Sequence, residues 1–217
     1  MLANTKDYVI ISTDKVMLKN VRTKNTKPIF VDFLSAKLRY RQKSNHRELL
    51  QKALGSLDPK SSLIVDATAG FGEDAFILAS KGYHVIMLER SAVLAALLQD
   101  GLIRLHQSAT SFISLELVHQ DAKIYLPELA KKIIIDVIYL DPMFPEKTKS
   151  ALPRKEMKIL REIVGDDADA SSLLQAALKT AKNRVIVKRP RLAHPLGDIK
   201  PSFSVSGKLS RFDVYVF

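Results

Sequence analysis

The chain has 217 residues, with 34 Lys and Arg against 23 Asp and Glu for a formal net charge of +11 at pH 7, 47% hydrophobic residues and no cysteine. That hydrophobic share excludes a disordered chain, and the lack of thiols excludes a disulfide framework, a thiolate nucleophile and Cys-ligated zinc. No apolar run reaches the roughly 18–20 residues that cross a bilayer and the first residues show no signal-peptide core, so a soluble cytoplasmic protein is the expectation; the positive surplus points to a polyanionic partner, most simply nucleic acid.

Residues 1–56 read as an N-terminal β/α extension. Segments 8–12 and 16–18 form a short hairpin with Thr13-Asp14 at its turn, and 29–34 is another β-like run after Pro28. The stretch 37–47 is basic, with Lys37, Arg39, Arg41, Lys43 and Arg47 beside His46, and 48–54 reads as a helix stopped at Gly55. A linker over 56–62 leads into the main domain, 57–217. There 63–66 is a buried strand, 74–81 a helix ended by Gly82, and 84–89 a second strand. Ser91 caps a helix whose apolar positions Val93, Leu94, Leu97, Leu98 and Leu102 keep the 3.6-residue period. A third strand spans 115–118, a helix containing Pro127 spans 122–132, and a fourth, nearly all-apolar strand spans 134–140. A helix over 173–182, a strand over 184–187 and a closing hairpin of 203–205 with 212–217 complete the chain. Strands alternating with helices predict an α/β, Rossmann-like sheet, mostly parallel, covered on both faces, with an antiparallel C-terminal hairpin.

In such a sheet, ligands bind beyond the carboxyl ends of the strands. The first strand is followed by Asp66-Ala67-Thr68-Ala69-Gly70-Phe71-Gly72-Glu73-Asp74, whose glycines allow a tight turn and close backbone approach. Glu89-Arg90 follows the second strand, where an acid can take both hydroxyls of a ribose. Gln120-Asp121-Ala122 follows the third, and Asp141-Pro142-Met143-Phe144-Pro145 the fourth. Gly70-x-Gly72-x-x-Ala75 with Glu89 also matches a dinucleotide fingerprint. Against a dinucleotide stand Asp66 at the loop and Glu73 and Asp74 at the helix N-terminus, where a pyrophosphate needs positive potential. Carboxylates there suit an ammonium or sulfonium ligand, or simply favour the helix dipole. In the fourth loop, Asp141 and the Pro142 carbonyl can accept hydrogen bonds from an exocyclic amine, and Phe144 offers a face for a flat base. The five histidines show no metal spacing, and no metal is expected.

On these residues the chain resembles the class I S-adenosylmethionine-dependent methyltransferases. Asp141-Pro142-Met143-Phe144 is similar to the Asp/Asn-Pro-Pro-Tyr/Phe motif of amino-group methyltransferases. More closely, the chain resembles the bacterial RsmJ family. The segments that carry this are 29–33, 65–70 with Gly72 and 74–76, 87–90, 95–98, 100–102, 139–145 with Lys147, 149–152, 155–157, 187–190 and 211–213. The resemblance implies a seven-stranded sheet and methyl transfer from S-adenosylmethionine, with S-adenosylhomocysteine as product. It also implies an acceptor, the N2 amine of a guanine near the 3′ end of 16S rRNA (guanine 1516), presented by naked rRNA or the 30S subunit.

Donor contacts are then expected from Asp66, Ala67, Gly70, Gly72, Glu73, Asp74, Glu89, Arg90, Gln120, Asp121, Ala122 and Asp141, and catalysis from Asp141, Pro142 and Phe144. The family often has Arg where this chain has Glu73, and small hydroxyl residues where it has Asp121-Ala122. Lys37, Arg39, Arg41, Lys43 and Arg47, then Lys147 and Lys149, then Lys188 and Arg189, are the expected RNA contacts. Three other readings stay open: an adenine-N6 or other nucleic-acid amino-methyltransferase, a nonenzymatic RNA-binding assembly factor, and, more distantly, a dinucleotide oxidoreductase.

Overall fold

The computed structural model describes residues 8–21, 27–42, 45–108, 113–143, 162, 164–165 and 167–217. Strands β3 (Leu63–Asp66), β4 (His84–Leu88), β5 (Leu115–Val118), β6 (Ile135–Leu140), β7 (Ala181–Pro190), β8 (Phe203–Ser206) and β9 (Ser210–Val216) form one sheet, ordered β5-β4-β3-β6-β7-β9-β8. The first five are mutually parallel, and β9 runs antiparallel to both β7 and β8. The order reverses beside β3, so the loops after β3 and β6 diverge there and leave a crevice at their carboxyl ends.

Side chains alternate across the sheet as strand geometry requires. Ile64, Val137, Tyr139, Ile186, Phe212 and Val214 enter one apolar layer, shared with α3 (Glu73–Ala79) and α4 (Ala92–His106). Leu63, Val65, Ile138, Leu140, Val185 and Tyr215 enter the opposite layer, shared with α5 (Ala122–Ala130) and α6 (Ala170–Thr180). Helix α5 continues through Pro127 and buries Leu126 and Leu129. Ser91 caps α4, accepting from Leu94 N at 3.5 Å.

The N-terminal segment begins with an antiparallel hairpin, β1 (Tyr8–Ser12) and β2 (Val16–Asn20). The β-like run at 29–34 does not become a strand. Ile29 makes one antiparallel bridge to Leu18, and the chain then turns at Asp32, whose Oδ1 accepts from Leu34 N at 3.0 Å. Among the described residues the ladder with β2 does not extend beyond Ile29, and Val31 and Phe33 are buried against α4 instead. The basic stretch after it contains α1 (Ala36–Gln42), and α2 (Asn45–Leu54) lies against β8 and β9. Arg184 Nη1 reaches the Ala53 carbonyl at 2.7 Å, satisfying an acceptor that the end of α2 leaves open. Strand β7 is longer than its apolar core of 185–187 because β6 and β9 pair with it on both sides, which retains polar positions such as Arg184 and Lys188. Among the described residues, no helix is long and apolar enough to cross a membrane.

The N-terminal segment packs tightly against the sheet domain at Gly101, inside α4. A Cβ there would stand 2.6 Å from Val31 Cγ1 and 3.2 Å from Phe33 Cε2. Gly101→Ala should therefore destabilise the protein by about 1–3 kcal/mol through overpacking, although helix propensity alone favours alanine by about 1 kcal/mol. A urea midpoint that falls with unchanged slope is the expected result; a raised midpoint would show that the segment yields freely.

Candidate active site

Four loops converge at the carboxyl ends of β3 to β6. In the first, Asp66 is 2% exposed and its Oδ1 accepts from Thr68 N at 3.1 Å. Burial pushes the Asp66 carboxyl up to about 8; the Thr68 hydrogen bond opposes the rise, and the negative neighbours Asp74, Asp141 and Glu89 add to it. Gly72 has φ +70°, and a Cβ on it would lie 2.9 Å from Leu98 Cδ2 and 3.0 Å from Met87 Sδ. Glycine is thus required there both for the left-handed backbone and for the space.

Glu89 ties the second loop to the first. Its Oε2 accepts from Gly70 N at 2.9 Å and its Oε1 from Ser91 N at 2.8 Å. Burial raises its pKa, and these two hydrogen bonds partly offset the rise. Thr68 Oγ1 accepts the Asp141 amide at 2.6 Å, which joins the fourth loop to the first. Between the loops lies a cleft that opens to solvent. Ala67, Gly70, Glu89, Gln120, Asp121 and Asp141 line it, as do the apolar side chains Leu88, Leu94, Ala122 and Leu173.

Sequence reasoning missed the far wall. Arg90 bridges Asp167 (2.5 Å) and Asp169 (3.0 Å) across the mouth of the cleft. Asp167 Oδ2 accepts from Met143 N at 2.7 Å, and its own amide donates to the Met143 carbonyl at 3.0 Å. It thereby braces the loop after β6. Asp167 lies 24 residues from Met143 in a segment with no motif, so only its acidity could have drawn attention to it. Lys123 joins this wall through Asp169 at 2.5 Å. Asp121 caps α5 by accepting from Lys123 N at 2.8 Å.

Two groups of expected site residues find one another. Glu73 pairs with Arg41 and with Lys37 (3.2 Å), and Asp74 pairs with Arg41 at 3.0 Å. Neither acid lines the cleft. Asp74 is buried beneath it and also accepts from Tyr139 Oη at 2.7 Å and Lys188 Nζ at 2.9 Å. Glu73 and Asp74, expected donor contacts, thus have their charge met by cations of the same chain.

Lys188 and Arg189, expected RNA contacts, are likewise engaged within the chain. Lys188 sits between Asp74 and Asp141 (2.7 Å). Arg189 is 8% exposed and donates through Nε and Nη2 to the His194 carbonyl at 3.1 and 2.6 Å. Arg39 remains on the surface, donating to the Leu34 carbonyl at 3.1 and 2.8 Å. Pro142 is buried. Phe144, Lys43, Lys147 and Lys149 lie outside the described residues, as does the side chain of Arg47. Among the described residues, no cluster of three or more His, Asp or Glu could hold a metal ion.

The strand order, the glycine turn and the acid after β4 define an α/β enzyme of the nucleoside-binding methyltransferase class. A family model described as putative SAM-dependent methyltransferase matches residues 2–217, and the chain belongs to that family. It is 46% identical over 220 residues to a protein of Coxiella burnetii named ribosomal RNA small subunit methyltransferase J, covering 98% of this chain and 85% of that one. A protein of the same name from Thioalkalivibrio sulfidiphilus is 50% identical over 194 residues, covering 87% and 76%. Among solved structures, a SAM-dependent methyltransferase of Neisseria gonorrhoeae superposes with a TM-score of 0.75 at 35% identity, covering 94% of this chain and 79% of that one. The 16S rRNA N2 G1207 methyltransferase of T. thermophilus, solved with AdoMet and guanosine, shares the fold at a TM-score of 0.56 and 15% identity, over 96% of this chain and 50% of that one.

The methyl donor of this family is S-adenosylmethionine, and the cleft fits it. Each Glu89 oxygen receives one backbone N–H and keeps a second lone pair for a ribose hydroxyl. Leu88, Leu94, Ala122 and Leu173 offer apolar contact to a purine, and Asp121 and Gln120 offer polar contact at its edge.

Asp66 generates a pH prediction. An unfolded Asp has a pKa of roughly 3.9, so between that value and about 8 the folded state binds a proton that the unfolded state releases. Stability from this group is full below the lower value and is lost as pH rises through the window. Asp66→Asn keeps an acceptor for Thr68 N and should raise Tm relative to the parent chain more at pH 9 than at pH 5. Equal shifts at both would show that Asp66 is ionised throughout.

Proposed function

We propose that this chain methylates the exocyclic N2 amine of a guanine in small-subunit ribosomal RNA, at guanine 1516 as the RsmJ resemblance implies. The observation that carries the reading is the Asp141-Pro142 turn at the cleft. Its backbone is tied to Thr68, its carboxylate is half-exposed beside the donor site, and one carboxylate oxygen is held by Lys188. The names of the Coxiella and Thioalkalivibrio relatives support the rRNA substrate.

The bound donor supplies an electrophilic sulfonium methyl. Asp141 and the Pro142 carbonyl accept the two N–H groups of the guanine amine and turn its lone pair toward that methyl. Asp141 acts here as an acceptor and orienting group, and the methylated nitrogen then releases a proton readily. Such alignment is worth about 7–11 kcal/mol when the attack geometry is held. The base reaches the cleft from an unpaired strand or by extrusion. Lys37, Arg39, Arg41, Lys43, Arg47, Lys147 and Lys149 remain the proposed contacts to rRNA or the 30S subunit, Lys37 and Arg41 being shared with Glu73.

The test is methyl transfer from labelled S-adenosylmethionine to 30S subunits lacking the native mark, with nucleoside analysis. N2-methylguanosine is the expected product; N6-methyladenosine would overturn the guanine assignment, and no transfer to 30S or naked rRNA would overturn the substrate. Asp141→Ala should lower turnover at least ~100-fold and change S-adenosylhomocysteine affinity less than about threefold. Glu89→Gln should do the reverse, weakening S-adenosylhomocysteine about 10–100-fold through the loss of charge-assisted hydrogen bonds. Calorimetry reads both, and equal effects of the two variants on binding would contradict this division of labour.

A further inference from the structure

We propose that Lys188 is a positioning residue for methyl transfer: anchored on buried Asp74, its ammonium clamps one oxygen of Asp141 and leaves the other to the amine. The inference rests on the reading of Asp141 as the acceptor of the amine.

Strand register builds the arrangement. Leu140 of β6 lies opposite Val187 of β7, so one step further the chain brings Asp141 alongside Lys188. Tyr139 lies opposite Ile186 in the same ladder, and two-residue alternation puts Tyr139, Asp141, Ile186 and Lys188 on one face of the sheet. Asp74, on α3, packs over that face.

Both oxygens of Asp74 are occupied. Oδ1 takes Arg41 at 3.0 Å; Oδ2 takes Tyr139 Oη at 2.7 Å and Lys188 at 2.9 Å. The anchor is therefore rigid, and its side chain is 8% exposed. Lys188 then reaches Asp141 Oδ2 at 2.7 Å. Among the described residues no hydrogen bond to Oδ1 of Asp141 is present, and the carboxylate is 38% exposed at the cleft. One oxygen is thus clamped and the other presented.

The cation has a second effect. Asp74, Glu89 and Asp141 crowd the same strand ends, and their mutual repulsion favours rotating the most exposed of them, Asp141, outward. An ammonium shared by two of them opposes that rotation. Burial by itself disfavours the ammonium, but Asp141 and Asp74 outweigh it and hold Lys188 above the ordinary lysine pKa. A lysine held this way is not free to meet a phosphate.

The experiment is a double-mutant cycle. Lys188→Met in the otherwise unaltered chain should lower kcat on 30S subunits about 30-fold or more, with the S-adenosylhomocysteine Kd and the KM for 30S within about threefold. In an Asp141→Ala background the same substitution should change kcat less than about threefold, because Lys188 acts through Asp141. Ethylammonium should restore part of the rate of Lys188→Ala and none of the rate of Asp141→Ala. Equal losses in both backgrounds, or a rise in the KM for 30S with kcat preserved, would overturn the proposal in favour of a structural or phosphate-binding lysine. Activity on 30S that survives Asp141→Ala would overturn the parent reading instead. A readout independent of turnover is the Lys188 Nζ–H resonance in 15N-lysine spectra, expected to be sharp in the unaltered chain and lost in Asp141→Ala. An ammonium that exchanges as fast as a surface lysine would remove the clamp.

Discussion

The structure turns on a charge problem at the carboxyl ends of its central strands. Asp66, Glu89 and Asp141 end or follow β3, β4 and β6, and Asp74 opens α3 just beneath them. Placing so many carboxylates at one sheet edge is useful for a ligand with hydroxyls, amines and a sulfonium, but without compensation it is unfavourable, since buried like charges repel in a medium that screens them poorly. The chain resolves this in different ways at different positions. Asp66 is held toward its neutral form by burial, Glu89 accepts two backbone amides, and Asp74 and Asp141 share the Lys188 ammonium.

That solution also explains how the N-terminal segment is attached. Its hydrophobic residues Leu18, Val31, Phe33, Leu50 and Leu54 belong to the same apolar layer as Phe76, Leu97 and Tyr139. Its polar contribution is Arg41 on α1, which bridges Glu73 and Asp74. One helix of the segment thus completes the neutralisation of the site. The route from Arg41 through Asp74 and Lys188 to Asp141 is a continuous line of hydrogen-bonded charges from the segment to the loop after β6.

Much of the fold was legible because it depends on local pattern. The strands at 63–66 and 115–118 coincide with those observed, since short apolar runs between helical periods leave little choice. The Ser91 cap and the glycine turn after β3 were equally plain, because each is a local backbone requirement. Among the described residues, 29–34 have strand-like composition but pair only at Ile29, and β7 is longer than its apolar centre because two neighbours pair with it. In each case pairing across the sheet decided the outcome, and pairing is not a local property.

The site divides along the same line. From the sequence alone came the sheet class, the loops that form the cleft, and Glu89, Asp121 and Asp141 at its wall, because residues that follow strands in an alternating α/β chain must gather at one edge. Tertiary structure decided which charges line the cleft and which face each other. Arg41 meets Asp74, Arg90 meets Asp167, and Lys188 meets Asp141 across separations of 33, 77 and 47 residues. A charged side chain's role depends on its nearest opposite charge in space, and only the folded register of strands and helices sets that distance.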